Sequence, residues 1–207
     1  MNRTLLIFIM IATALMIAVI GGKRNASHME HLPWQIDTLK NGNTRVFGIT
    51  LEKTSIQDAN QILSSFPETQ LHYTDEQTSR LVAVYDELNI SGLMAQIELV
   101  YDLDYAQLTE LNQLAIPVAG KTYAKLPEEK EMALLDTVAS KLIYKPAINY
   151  QADEIHQRFG APDQEIPLND NTSLWLYPDL GLQIKLGKTG QDEFIYSPVQ
   201  PVQPAAE

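Results

Sequence analysis

The sequence predicts an α+β fold: an N-terminal transmembrane helix followed by two degenerate helix-plus-antiparallel-sheet units. Three observations carry this expectation. An uncharged apolar run extends from Thr4 to Ile20, flanked by Arg3 on one side and Lys23 and Arg24 on the other. Short stretches of period-two alternation, above all Gly92 to Tyr101 (GLMAQIELVY), read as strands. Two stretches with helical spacing are each followed by such strands in the same order.

The apolar run is long enough, at about 1.5 Å per helical residue, to approach a hydrocarbon core of about 30 Å. A cleaved secretory peptide is the competing reading. Its best cut, after Gly21 with Val19 at the third position before it, lacks the Ala-x-Ala pattern of a cleavage site. The expectation is a retained signal-anchor over residues 1–22. Arg3 and the Lys23–Arg24 pair argue for opposite orientations. A tail this short before a first apolar segment favours export of the remainder. That places the chain in a bacterial inner membrane, single-pass, with its C-terminal domain in the periplasm of the cell envelope.

Residues 23–43 read as a linker, with Gly22 before it, Pro33 within it and a turn signal at Asn41-Gly42-Asn43 near its end. Within it, Trp34 is expected to pack on the domain rather than sit at a membrane interface. Arg45 to Thr50 reads as one strand. A helix is expected from Ser55 to Phe66, capped by Thr54 and Gln57 and stopped by Pro67. Strands at Gln70–Thr74, Arg80–Asp86 and Gly92–Tyr101 follow, then a helix from Tyr105 to Leu114. Pro127 suits the first turn of a longer helix with Met132, Leu135, Ala139 and Leu142 as its buried stripe, and Leu142 to Tyr144 also reads as a strand before Pro146. The last third reads as a helix from Gln151 to Phe159 and strands at Ser173–Tyr177, Gly181–Leu186 and Glu193–Tyr196. The domain thus spans 44–197, as units 44–102 and 145–197 joined by a helical segment 103–144. Its expected core is Phe47, Ile56, Leu63, Val84, Leu93, Ile97, Leu135, Ile155, Phe159, Trp175, Leu182 and Ile184. Residues 198–207 form a Pro-rich tail with Pro198, Pro201 and Pro204 one polyproline II turn apart.

Composition narrows the function. The 207 residues carry a net charge of −11, which opposes binding to nucleic acid. The absence of cysteine excludes disulfides, thiol nucleophiles and cysteine-ligated metals.

The two helix-then-sheet stretches align as a weak tandem repeat. Ile56, Ala59 and Leu63 match Ala152, Ile155 and Phe159. Leu81–Tyr85 (LVAVY) matches Ser173–Tyr177 (SLWLY), and Ser91-Gly92-Leu93 matches Leu180-Gly181-Leu182. A helix, then Gly160-Ala161-Pro162, then Trp175-x-Tyr177 and an alternating strand resembles the SmpA/OmlA (BamE-type) envelope domains. Their fold is similar to the β-lactamase-inhibitor-protein module. Two departures stand out: those domains are usually lipoproteins, whereas this chain lacks a cysteine, and the first copy lacks the Gly before its Pro. The resemblance implies a non-catalytic domain that works through protein contacts.

A search for chemistry yields little. His28 and His31 bracket Glu30 in the linker without an evident third ligand. His156 follows the inward Ile155 and is expected to face solvent, and His72 stands alone. Asp102 and Asp104, between a strand and a helix, form the most suggestive polar pair. Gln107 stands where an EF-hand needs Gly, so the bland reading is helix capping by Asp104. No nucleophile elbow, phosphate loop or zinc-protease motif occurs. No catalytic, cofactor or metal residue is therefore assigned. The expected function is a membrane-anchored, non-catalytic protein that binds other envelope proteins and meets the membrane through residues 4–20. The alternatives are an inhibitor or regulator of a periplasmic hydrolase, and an enzyme of unrecognised type.

Overall fold

The computed structural model describes residues 31–73, 79–187 and 190–199. Strands β1 (Asp37–Thr38), β2 (Thr44–Val46) and β3 (Ile49–Thr50) form a small sheet, followed by α1 (Ile56–Leu63). Next come β4 (Glu68–Tyr73), β5 (Ser79–Ile90), β6 (Leu93–Tyr101), α2 (Tyr105–Leu114), β7 (Ile116–Pro117) and β8 (Tyr123–Lys125). The remainder is α3 (Glu128–Ala133), β9 (Lys141–Pro146), α4 (Ala152–Phe159), β10 (Gln164–Asn169), β11 (Thr172–Tyr177), β12 (Leu182–Gly187) and β13 (Glu193–Tyr196). Among the described residues, β4 to β13 make one ten-stranded antiparallel sheet in the order β10-β11-β12-β13-β9-β6-β5-β4-β8-β7.

The expected fold class is corrected by this architecture. The described residues are mostly β, with 43% strand and 22% helix, in two sheets with four helices. The two expected units are not separate layers, because β9 pairs with β6 on one side and β13 on the other, making their sheets continuous. The expected helical segment 103–144 is largely something else. α3 ends at Ala133, and the stripe proposed for it splits: Met132 is exposed, Leu135 half-buried, and Leu142 lies in β9. Arg45–Thr50 is not one strand but a tight hairpin, turned by Phe47 and Gly48 at positive φ.

The transmembrane helix and signal-anchor are also corrected. Among the described residues no helix is long and apolar enough to cross a membrane. The longest, α2, has 10 residues, or roughly 15 Å against about 30 Å of hydrocarbon. The inner-membrane, periplasmic location rested on that helix and is set aside with it. Its segment, residues 4–20, lies outside the described residues, as does most of the Pro-rich tail.

Why the strands bury what they bury follows from parity. In β6, Ala95, Ile97, Leu99 and Tyr101 point to one face and all are buried. Across the sheet the same face carries the row Tyr85, Ile97, Tyr144, Phe194, Ile184 and Trp175, each opposite the next. A β-bulge after Tyr85, with Glu87 at φ 51, shifts the register. It lets both Tyr85 and Leu88 face the core despite their odd spacing. The β5–β6 hairpin then turns on Ser91 and Gly92, both at positive φ, with Asn89 Oδ1 accepting from Gly92 N–H at 2.9 Å.

The helices lie on this core face. Ser55, not Thr54, caps α1, its hydroxyl accepting from Asp58 N–H at 3.1 Å. Ile56 and Ala59 face the sheet, and Tyr85 donates its hydroxyl proton to Asn60 Oδ1 at 2.7 Å. From α4, Ile155 is fully buried, while Phe159 packs half-buried against Tyr177 and Phe194. The chain before β1 docks here too. Buried Tyr196 donates to the Pro33 carbonyl at 2.8 Å, and Arg158 stacks 4.2 Å from the centre of Trp34. Gly181 is required by close packing: at φ 60, a Cβ there would lie 2.1 Å from the Ser197 carbonyl oxygen. Of the expected core, Leu63, Val84, Leu93, Leu135 and Phe159 are only half-buried; the other seven are buried.

Candidate functional site

With α1 and α4 on the core face, the other face of the large sheet presents the alternate residues of the same strands. Register places Glu68, Val84, Glu98, Ile143, Ile195, Gln183, Leu176 and Gln164 in one row across eight strands. At about 4.8 Å per strand the row is roughly 34 Å long. Val84, Ile143, Ile195 and Leu176 are half-buried, a degree of exposure their core-face neighbours do not share. Such residues give the face an apolar stripe. Val82, Val100 and Gln70, in the adjoining row, are buried.

Part of the charge on this face is paired. Three ion pairs lie across it: Lys125 with Glu68, Lys145 with Glu98, and Lys185 with Glu193 at 3.5 Å. The outer two are substantially exposed and contribute little to stability. The central pair is different, because only 10% of the Glu98 side chain and 19% of the Lys145 side chain reach solvent. His72 lies near it, its Nε2 2.8 Å from Gln70 Oε1 and its ring stacked on Tyr123. Burial pushes the imidazole below its ordinary range; Glu98 opposes the shift and Arg80 and Lys145 reinforce it. The neutral ring is thereby favoured. Chemically, the surface offers apolar contact and paired charges at its centre, with the exposed Arg80 and Lys141 on the same face.

The residues weighed from sequence are dispersed. Asp102 and Asp104 are both exposed. Asp104 Oδ1 accepts from Gln107 N–H at 2.8 Å and Gln107 Oε1 accepts from Asp104 N–H at 3.1 Å, a reciprocal capping box on α2. His28 lies outside the described residues. His31 rests against the Gly48 turn, where a Cβ would meet its ring at 3.3 Å. His156 does not face open solvent: its ring packs 4.6 Å from the Trp175 ring. Among the described residues, no group of three or more His, Asp or Glu side chains is placed to hold a metal ion. Replacing Asp104 with Asn should leave stability nearly unchanged, while Asp104→Ala should cost about 1 kcal/mol, because Asn caps as well as Asp. Thermal melts of the two variants check this, and equal losses would remove the cap from the account.

Sequence reasoning missed the sheet face itself. Its signal was present in the two isoleucines at outward parity, Ile143 in KLIYKP and Ile195 in EFIY. Their adjacency, however, depends on the β9–β13 pairing. Comparison with protein-family models, with curated proteins and with solved structures finds no match.

Proposed function

We propose that this chain is a non-catalytic domain that binds another protein through the open face of its ten-stranded sheet. The observation that carries the reading is the row Val84–Glu98–Ile143–Ile195–Gln183–Leu176, apolar in the main and neutralised by ion pairs, in a chain of net charge −11. An apolar row of that kind suits contact with a protein, and the net charge of −11 opposes a polyanion. The SmpA/OmlA-type resemblance in Gly160-Ala161-Pro162 and Trp175-x-Tyr177 points the same way.

The test is site-specific photocrosslinking in the native cell. A photoreactive residue at Gln183, which is exposed and belongs to the row, should trap one or a few proteins reproducibly. Ile195→Asp should abolish that adduct while the thermal melt shows a folded chain. An adduct that persists in the Ile195→Asp chain overturns the sheet face as the binding surface. Loss of function in a well-folded Asp102→Asn or Asp104→Asn variant would instead bring the enzyme reading forward.

A further inference from the structure

On the helical side of the molecule, α1 and α3 border an open groove of about 960 Å³. Its floor is Ile56, Leu135 and Pro67. Two large apolar side chains stand at its walls with little else to cover them: Phe66 is 86% exposed and Met132 65% exposed. Aromatic and methionine side chains left in solvent beside a concavity are what helix-binding grooves use as anchors, methionine because its unbranched chain adapts to the incoming shape.

The two rims differ in charge. The α1 rim is neutral and hydrogen-bonding, with Gln57, Asn60 and Gln61. The α3 rim carries Glu128 and Glu131. Neither carboxylate joins any of the ion pairs among the described residues. Their neighbour Lys130 is already committed to Glu110 at 2.7 Å, and Lys125 to Glu68. The groove therefore carries acidic side chains along one side only, with Lys125 near Glu131 but hydrogen-bonded to Glu68. Burial, with Glu68 and Glu128 close by, pushes the Glu131 carboxyl above its ordinary range, and Lys125 partly opposes the shift. An arriving cation would relieve that crowding.

We propose that this groove docks a cationic amphipathic helix of a partner protein, its apolar stripe over Phe66 and Met132 and its lysines or arginines along Glu128 and Glu131. The groove meets the sheet face only at the Glu68–Lys125 edge, and the residues tested below are not those of the sheet-face test.

The experiment uses the full chain and a synthetic 18-residue peptide with Leu at alternating spacings of three and four and Lys elsewhere. A matched peptide with Glu for Lys is the control. Saturable binding of the Leu/Lys peptide is expected, at least tenfold tighter than that of the Leu/Glu peptide. Glu128→Lys with Glu131→Lys should weaken it at least tenfold, as should Phe66→Ser with Met132→Ser. The pair Asp153→Lys and Asp163→Lys changes net charge equally but lies elsewhere on the exposed surface, and should weaken binding less than threefold. Equal weakening by both charge-reversal pairs would show that net charge alone attracts the peptide, and overturns the proposal. A photoreactive residue at Met132 adds a second readout. Adducts with the peptide support the groove. Adducts within the chain to residues 1–30, or between two copies, assign it another occupant and overturn the proposal as well.

Discussion

Phe194→Ala should destabilise the protein by about 3–5 kcal/mol, more than any other single truncation in the α4 half of the core. Phe194 has no exposed surface and sits at the junction of the two halves of the large sheet, paired across strands with Tyr144 and Ile184. Its ring meets Tyr144, Tyr150 and Phe159 at centroid distances of 5.6, 5.4 and 5.8 Å. Removing it leaves a void walled by aromatic rings on different elements, which cannot all move inward together. Phe159, half-buried at the end of α4, should lose distinctly less on the same substitution. Urea unfolding of the two variants makes the comparison, with the midpoint read at unchanged slope. A loss below 1 kcal/mol at Phe194 would mean that the β9–β13 junction is loosely packed.

Lys145→Met should cost about 3–5 kcal/mol, although it removes a charge and adds apolar surface. The cause is what it leaves behind: Glu98, almost wholly withdrawn from solvent, loses the ammonium that its Oε1 accepts from. Changing both partners, Glu98→Leu with Lys145→Met, should bring stability back to within about 1 kcal/mol of the starting protein, since no orphaned charge remains. A double-mutant cycle decides it. If the single and double variants are equally destabilised, the residues are held by packing and the ion pair is incidental. If both are neutral, the pair is more hydrated than its geometry indicates. The double variant also separates the pair's part in folding from any part in partner binding, because it preserves volume while erasing the charge pattern.

Local pattern was legible where one period alone fitted. GLMAQIELVY alternates cleanly, and β6 is the strand it describes. Ile56 and Ala59, at helical spacing behind a hydroxyl residue, gave α1, though the cap is one residue later than expected, because Thr54 Oγ1 instead accepts from Thr50 N–H at 2.9 Å. Legibility failed where two periods coincide. Leu135, Ala139 and Leu142 satisfy a helical stripe, yet Leu142 and Tyr144 also satisfy a strand, and pairing with β6 and β13 decides for the strand. Phe47 was expected inside a strand and is instead a left-handed turn residue at φ 54. That conformation is uncommon for a bulky side chain, and propensity argues against it. The candidate site was less legible than the fold. Its row takes one residue from each of eight strands, and the order of those strands is a long-range property. Asp102 and Asp104 drew attention because they are adjacent in sequence, whereas Glu98 and Lys145 are 47 residues apart and meet only through the sheet.

The placement of β13 has a consequence for synthesis. It is the last described strand in the chain, yet it lies between β12 and β9, in the interior of the sheet. A nascent polypeptide that has emerged only as far as β12 holds two incomplete sheets. Each has an unpaired border of backbone amides and carbonyls, and each border carries large apolar side chains, Leu182 and Ile184 on β12 and Leu142 and Tyr144 on β9. Borders of that kind recruit strands from neighbouring chains. Emergence of Glu193–Tyr196 occupies both borders at once, and Tyr196 simultaneously reaches back to Pro33 near the start of the described chain. Closure of the sheet therefore waits for Glu193–Tyr196, and a chain that stops short of residue 193 keeps both borders open to association with other chains.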